Sequence, residues 1–283
     1  MERVAITAYV DSPKHFIDEA NQMTLSGSGL DSRFTFVLFV HPDSAPYIKK
    51  RHNVRVIPYK SRDDAYYKSY KYAKSFSFLK DNSHVLKYYD YIFKTDTDVF
   101  FSDHLNTHVF KDELYFGKGH YKSWAIEQMQ ELATNLGYSN YRNVLEPGAT
   151  LFGPSEYVLS LMESADTITR EVFYYLCPDG DWESYFHVWG KSLFAGTAGM
   201  IGQELALVSC FNLNNVVISN KLDADSCSSD DVSSVYHIHQ WHVDNVFSKF
   251  KAREGEYDSW EYRTDSSISS YCLNTFLKNK REL

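Results

Sequence analysis

The stretch that most limits the fold is residues 33–40, which are apolar at every position after Arg33 except Thr35. A strand that is apolar on both faces has to be covered on both faces, as in the parallel sheets of α/β proteins. The sequence predicts further strands at residues 3–10, 54–58 and 91–94, and helices at 15–24 and 65–80. This alternation indicates an α/β fold with a mainly parallel central sheet flanked by helices, and with a crevice at the carboxyl ends of its strands.

The second half of the chain is more mixed. Strands are predicted at residues 114–117, 149–153, 216–219 and 234–241, and helices at 155–175, 201–211 and 271–280. The acidic run at 223–231 is predicted to be a solvated loop. Because no repeats or low-complexity linkers interrupt the pattern, we predict one domain over residues 1–283, with halves at 1–102 and 103–250 and a C-terminal extension at 251–283.

Charge and composition exclude several classes of partner. The net charge is −8 and no long basic run is present, which disfavours nucleic acids and anionic membranes. No window approaches the ~18 to 20 apolar residues of a membrane span, and the first apolar run is too short for a signal peptide. The four cysteines contain no Cys-x-x-Cys pair, so neither a zinc ribbon nor a disulfide scaffold is indicated. We therefore expect a cytoplasmic protein with no membrane span and no nucleic-acid partner.

Two aspartates, Asp96 and Asp98, directly follow the predicted strand at 91–94 and precede a second apolar run at 99–101. Carboxylates beside a buried strand are costly unless a cation neutralises them. A divalent metal that carries a phosphorylated ligand is the most economical explanation, and a capping or turn pair is the alternative. An aspartyl-phosphate phosphatase would need a threonine where Phe100 stands, and a calcium loop would need a polar ligand there.

The segment at 91–105, Tyr-Ile-Phe-Lys-Thr-Asp-Thr-Asp-Val-Phe-Phe-Ser-Asp-His-Leu, resembles the DxD segment of GT-A-fold glycosyltransferases. It is most similar to the histo-blood-group and α-1,3-galactosyl transferase family, whose DxD is also followed by a Phe and an Asp-His. The resemblance implies a single GT-A domain whose metal site contains Asp96 and Asp98. Asp98 would bind Mn²⁺ or Mg²⁺ directly, and Asp96 would contact the donor ribose or a metal-bound water. The metal would then bridge both phosphates of a UDP-sugar.

The resemblance extends more loosely to the sugar site. Residues 146–154 are similar to the Gly-rich strand that closes this site in the family, and Gly148 and Ala149 fit the close approach that it requires. A tight turn into a core strand is the alternative. Glu204 matches the family's candidate nucleophile or charge stabiliser, so retention is slightly preferred, whereas Gln203 replaces the family's Asp. A Glu in the first turn of a helix can also simply satisfy the helix dipole.

Further residues are assigned to the two substrates. Asp181 and Glu183 flank Trp182, a combination suited to sugar hydroxyls, and either acid is a candidate base if the reaction inverts. Lysines at i, i+3 spacing on the helix before the acid pair either hold the donor phosphates or form a solvated stripe: Lys68, Lys71 and Lys74. We assign to the nucleotide sugar Ala8, Tyr9, Val10, Arg62, Lys74, Asp96, Thr97 and Asp98.

Three histidines lie within six residues, at His237, His239 and His242. On a strand the first two share a face, and three such side chains could hold zinc without any nucleotide. Because some GT-A enzymes complete their metal site with one C-terminal His, we assign His239 as the third ligand, with the other two as alternates. A hydrogen-bonded core histidine is the remaining interpretation.

Together these features predict a metal-dependent glycosyltransferase that moves a sugar from a UDP-sugar to a saccharide or glycan hydroxyl. One alternative is a His/Asp metallohydrolase centred on the histidine cluster. The other is a non-catalytic carbohydrate-binding module, because aromatic residues make up 16% of the chain and their faces suit sugar rings.

Overall fold

The computed structural model describes residues 2–119, 122–138, 141, 145–181, 195–240 and 247–281, and of residues 122–125 only the backbone. The strands among these residues are β1 (Val4–Val10), β2 (Phe34–Val40), β3 (Val54–Pro58), β4 (Tyr91–Lys94), β5 (Val99–Phe101), β6 (Leu114–Lys118), β7 (Pro147–Pro154), β8 (Val216–Ile218), β9 (Ala224–Asp225) and β10 (His237–His239). The helices are α1 (Lys14–Ser26), α2 (Ala65–Ser69), α3 (Lys74–Asp81), α4 (Ser83–Leu86), α5 (Lys122–Asn135), α6 (Ser155–Leu176), α7 (Ala198–Cys210), α8 (Lys249–Glu254) and α9 (Ile268–Arg281).

The fold is mixed α/β, which confirms the predicted class. Its larger sheet has seven strands, most of them parallel, and its smaller sheet has three. Every residue of β2 except Thr35 is buried, as expected for a strand that is covered on both faces. No helix in the described part of the chain is both long enough and apolar enough to cross a lipid bilayer.

The chain divides into two compact units, and the first comprises Met1–Lys60, Lys94–Phe110 and Asn220–Leu283. In this unit β1 pairs with β2 and β2 with β3, all in parallel. In the three-stranded sheet, β10 lies between an antiparallel β5 and a parallel β9. Apolar side chains of β5, β10 and α9 share one core with Phe247 and Tyr257.

The second unit comprises Ser61–Phe93 and Lys111–Ser219. Its strands follow the order β4-β7-β6-β8, with β6 antiparallel to β7 and parallel to β8. Helices α6 and α7 approach so closely that a Cβ atom on Gly202 would lie 2.8 Å from the Cα atom of Thr169. The division of the sequence into halves at 1–102 and 103–250 stays a prediction.

The prediction of one continuous helix over residues 65–80 is wrong. Helix α2 ends before Tyr70, which leaves the helical conformation (φ −103°, ψ 87°), and α3 begins only after a 3-10 turn. Tyr70 is buried, and its hydroxyl donates to the carbonyl of Gly196 and accepts from the N–H of Gly199. These tertiary contacts override the local helical preference. The break separates the lysines of the predicted stripe, Lys68, Lys71 and Lys74.

Several elements near the C-terminus also differ from prediction. Strand β10 covers only part of the predicted strand at 234–241, whose last residue lies outside the described residues. Helix α8 forms in a stretch whose polar pattern predicts no helix. The predicted solvated loop at 223–231 begins with a buried residue, Asp223, whose positive φ of 54° is tolerated by aspartate.

Candidate metal centre

Backbone hydrogen bonds hold both ends of the short connection that carries the acid pair. Thr95, which follows β4, donates its N–H to the carbonyl of Thr7 on β1 at 3.0 Å. Asp98 comes directly before β5, and its backbone carbonyl accepts from the N–H of Gln240 at 2.9 Å. The positions of Asp96 and Asp98 are therefore set by neighbouring strands of the first unit.

The register of β5 against β10 places His239 beside this connection. Val99 pairs with His239 in the antiparallel ladder, and Asp98 is the residue directly before Val99. The Nε2 atom of His239 lies 3.6 Å from Oδ1 of Asp98. Asp96, Asp98 and His239 each offer a ligand atom, and these atoms all lie within 4.8 Å of one another.

This donor set fits a divalent cation. Two atoms that bind one ion at about 2.1 Å each are at most about 4.2 Å apart, so Asp98 and His239 are close enough to share it. Two carboxylates and one imidazole are ligands that hard and borderline divalent ions accept. The side chains of Asp96 and His239 are 34% and 27% exposed, so an ion can reach them from solvent.

Asp223 lies behind the two histidines of β10. One of its carboxylate oxygens is 3.3 Å from Nδ1 of His237 and 3.9 Å from Nδ1 of His239. A carboxylate on the far side of a histidine orients the ring and strengthens the opposite nitrogen as a ligand. For His239 the 3.9 Å distance is a charge contact rather than a hydrogen bond, and Nε2 of this ring faces the acid pair.

His237 has a different environment from His239. It is fully buried, its Nε2 lies 2.8 Å from the hydroxyl of Thr95, and its Nδ1 accepts the N–H of Asp223 at 3.2 Å. Since Nδ1 accepts a hydrogen bond, Nε2 carries the proton and donates to Thr95. Of the predicted alternates, His237 thus has the contacts of a core histidine, and His242 lies outside the described residues.

The chain supplies cations of its own to the acid pair. The Nζ atom of Lys249 lies 2.6 Å from Oδ2 of Asp98, and Nζ of the buried Lys94 lies 3.6 Å from Oδ1 of Asp96. The sequence predicts a bound metal ion as the cation that neutralises these carboxylates. In the structure two lysines already offset much of the cost of burying these carboxylates.

A second ion pair lies next to the first. Glu19 on α1 accepts from the hydroxyl of Thr97 at 3.1 Å and from the guanidinium of Arg253. Arg253 is four residues after Lys249 on α8, so both cations project from one face of that helix. Burial and the charge of Asp98 raise the pKa of Glu19 to about 7, although Arg253 acts in the opposite direction.

Electrostatics favour the charged forms of Asp98 and His239. Burial acts to raise the pKa of Asp98, but the charges and hydrogen bonds of His239 and Lys249 hold it well below its usual range. Burial likewise acts to lower the pKa of His239, and the carboxylates of Asp98, Asp223 and Asp96 outweigh it and raise the pKa to about 9. In the metal-free protein His239 is therefore mostly protonated near neutral pH.

Glu204, the predicted catalytic residue, belongs to the second unit. It is fully buried in the second turn of α7, one turn later than predicted, because the helix begins before residue 201. Its carboxylate accepts from the hydroxyl of Tyr141 (2.8 Å) and from the N–H groups of Leu145 (2.5 Å) and Glu146 (3.2 Å). Burial and the charge of Glu204 raise the pKa of Tyr141, so this hydroxyl remains a donor. The catalytic role of Glu204 stays a prediction.

The remaining residues predicted to contact sugar also lie in the second unit. Gly148 and Ala149 are in β7, and the glycine is buried. Gln203 is buried in α7 next to Glu204. Asp181 is exposed, and Trp182 and Glu183 lie outside the described residues.

The residues predicted to contact the nucleotide fall in both units. In the first unit, Ala8 and Val10 are fully buried in β1, while Tyr9 is half-buried with its ring 5.8 Å from that of Tyr59.

In the second unit, Arg62 is paired with the carboxylate of Asp81 and donates to the hydroxyl of Tyr67 at 3.3 Å. Lys74 is the first residue of α3. Their role in nucleotide binding stays a prediction.

Sequence reasoning missed Lys249, Asp223, Glu19 and Arg253. For the two cations of α8 a local signal exists, since Ser248 precedes the helix as an N-cap and Gly255 ends it in the left-handed conformation. With this short helix assigned, the spacing of Lys249 and Arg253 puts both on one face. No comparable local signal marks Asp223 or Glu19.

The chain matches a protein-family model. A family model described as Domain of unknown function (DUF7164) matches residues 42–281. No curated protein matches the chain. The match covers Asp96, Asp98, His239 and Lys249.

Proposed function

We propose that this chain, which belongs to the DUF7164 family, is a metal-dependent glycosyltransferase. It would transfer a sugar from a nucleotide diphosphate donor, a UDP-sugar, to a hydroxyl group of a saccharide or glycan. The observation that carries the proposal is the cluster of Asp96, Asp98 and His239, whose ligand atoms lie within 4.8 Å of one another. The resemblance of the acid segment to GT-A enzymes adds the reaction type and the GT-A domain to the proposal.

Asp96, Asp98 and His239 would hold Mn²⁺ or Mg²⁺. Bound there, the ion supplies Lewis-acid charge for the diphosphate leaving group. The β5–β10 register positions His239 as a metal ligand, and Asp223 faces the Nδ1 atom of this histidine, on the side away from the metal.

In the transfer, a bond forms between the anomeric carbon and the acceptor oxygen, and the bond from that carbon to the diphosphate oxygen breaks. The hydroxyl proton of the acceptor must leave to a base. Asp181, which is exposed, is the candidate base if the reaction inverts. Glu204 already accepts three hydrogen bonds, which favours a positioning contribution through the chain before β7.

The metallohydrolase alternative has less support among the described residues. It requires His237, His239 and His242 to act together as zinc ligands. Both ring nitrogens of His237 are instead engaged by Thr95 and Asp223. A single histidine with two aspartates suits a metal that also binds oxygen-rich ligands such as phosphates.

Calorimetric titration with UDP, with and without Mn²⁺, tests the proposal. We expect UDP binding to require Mn²⁺ and to fall by about 100-fold or more in Asp98→Asn, because a direct ligand is lost. Asp43→Asn is the matched control, since this aspartate is exposed and lies outside the cluster. Tight zinc retention without nucleotide affinity would favour the hydrolase, and binding of free sugar alone would favour the binding module.

A further inference from the structure

Asp98 is contacted at both carboxylate oxygens by side chains that can carry positive charge. Its Oδ1 atom faces His239 at 3.6 Å, and its Oδ2 atom is 2.6 Å from Nζ of Lys249. The side chains of Lys249 and Asp98 are 6% and 15% exposed, so water screens this contact weakly. An ion that binds Asp98 therefore has to share the carboxylate with a buried ammonium group.

The charges around Asp98 are nearly balanced without a metal. Four carboxylates lie in or next to the metal-ligand cluster, those of Glu19, Asp96, Asp98 and Asp223. Three cationic side chains contact them, Lys94, Lys249 and Arg253. Once His239 has lost its proton, as metal binding at Nε2 requires, and with all four carboxylates ionised, these described side chains carry one excess negative charge. A divalent ion alone would turn that into one excess positive charge, with Lys249 as its close, like-charged neighbour.

An anion that binds together with the ion removes this conflict. A diphosphate carries enough negative charge to balance the ion, and its oxygens accept hydrogen bonds from an ammonium group. Lys249 projects from the first turn of α8, a helix that the Arg253–Glu19 pair fastens to α1 one turn further on. Lys249 can thus exchange Asp98 for a neighbouring anion by side-chain rotation, while α8 stays in place.

We propose that Lys249 is a specificity-determining residue. It makes the site bind a divalent ion strongly only when a diphosphate binds at the same time. Without the diphosphate, Lys249 pairs with the carboxylate of Asp98 and repels the metal ion. With the diphosphate bound, the ammonium group of Lys249 pairs with the phosphate oxygens, and the carboxylate of Asp98 becomes available to the metal. The proposal rests on the proposed function, because it takes Asp96, Asp98 and His239 as the metal ligands.

The test measures Mn²⁺ affinity by electron paramagnetic resonance, with and without UDP, in the wild type and in Lys249→Met. Methionine keeps the length of the side chain and removes its charge. In the wild type we expect UDP to strengthen Mn²⁺ binding at least about tenfold. In Lys249→Met we expect nucleotide-free Mn²⁺ binding to strengthen about tenfold and the effect of UDP to shrink by a similar factor. Lys251→Met on the same helix is the control and should behave as the wild type.

If Lys249→Met does not fold, Lys249→Gln replaces it, since glutamine can still donate to Asp98 without a charge. Nucleotide-free Mn²⁺ affinity that is unchanged or weaker in the folded variant overturns the inference. Repeating the titration with inorganic diphosphate separates the two proposals. Coupling to diphosphate without any binding of UDP would support the role of Lys249 and contradict the nucleotide-sugar function.

Discussion

At the scale of single residues, Asp98 is where the interactions of the candidate site converge. Its backbone carbonyl accepts from the N–H of Gln240, which follows β10, and its two carboxylate oxygens face His239 and Lys249. These cations hold the pKa of Asp98 well below its usual range despite its burial. Asp98 is therefore ionised at any pH at which the protein would work, and the pH dependence of the site comes from its neighbours.

His239 makes metal binding depend on pH. Because its pKa is raised to about 9, an ion must displace a proton from Nε2 at lower pH. We expect Mn²⁺ affinity to rise about tenfold per pH unit from about pH 7 to 9 and then to level off. Calorimetry in buffers of different ionisation enthalpy should show about one proton released per ion.

The matched variant for this prediction is His239→Gln, which should bind Mn²⁺ more weakly and without this pH dependence. Equal Mn²⁺ affinity of the wild type at pH 7 and pH 9 would contradict it. The effect of pH on the stability of the metal-free fold has the opposite sign. Since the folded pKa lies above the ordinary 6.5, the imidazolium stabilises the metal-free fold below pH 6.5, and this contribution disappears as the pH rises through 9.

Glu204 is expected to contribute to stability whatever its part in catalysis. In Glu204→Gln an amide N–H₂ group would face donors that now bond to a carboxylate, those of Tyr141, Leu145 and Glu146. We expect the free energy of unfolding to fall by about 1–3 kcal/mol in urea denaturation. The exposed Glu163→Gln on α6 should change it by less than about 0.5 kcal/mol. Equal stability of both variants would show that these hydrogen bonds contribute little.

At the scale of elements, close packing decides where helices begin, end and touch. The break between α2 and α3 lies at a tyrosine whose hydroxyl bonds to the chain around the start of α7. Helices α6 and α7 meet at Gly202, where the absence of a side chain lets the backbones approach. Helix α8 has only six residues, and its N-cap and its ion pairs define its position better than its propensity does.

Gly202→Ala tests the contact between α6 and α7. The added methyl group would lie 2.8 Å from backbone atoms of Thr169 and closer still to its hydroxyl, so the helices would have to separate. We expect a loss of about 1–3 kcal/mol in the free energy of unfolding, although alanine is the better helix former. Ser209→Ala, at an exposed position of the same helix, is the control. A Gly202→Ala variant as stable as the wild type would contradict this description of the contact.

At the scale of the whole molecule, the metal-ligand cluster belongs to one unit that is assembled from three separate stretches of chain. Asp96 and Asp98 come from the second stretch, and His239 and Lys249 come from the third. The first stretch contributes Glu19. The cluster thus depends on the tertiary structure of that unit, and ligand binding should stabilise it there.

Hydrogen exchange monitored by mass spectrometry tests this expectation. With saturating Mn²⁺ we expect slower exchange at residues 95–101 and 237–240, which hold the ligands and their strands. Exchange in α7 should change far less, because no ligand atom of the cluster lies in that helix. Asp98→Asn should abolish the protection. Equal protection of α7 and β10 would place the metal elsewhere.

The assignment of His239 to the acid pair depends on the resemblance to GT-A enzymes. The residues themselves determined the α/β class, the strands β1 to β4 and the place of the acid pair after β4. These features depend on local patterns, namely apolar runs, turn residues and short motifs, which neighbouring residues largely settle. The identity of the metal, the nucleotide and the sugar stays a prediction from the resemblance of one segment.

Only the tertiary structure decided which side chains surround the acid pair. Lys249 bonds to Asp98 across 151 residues of chain, and Asp223 reaches the histidines through a buried turn that looks like a solvated acidic loop in the sequence. The break at Tyr70 and the burial of Glu204 are further examples. Each depends on contacts between distant parts of the chain, whose free energies outweigh the local preferences from which sequence patterns predict.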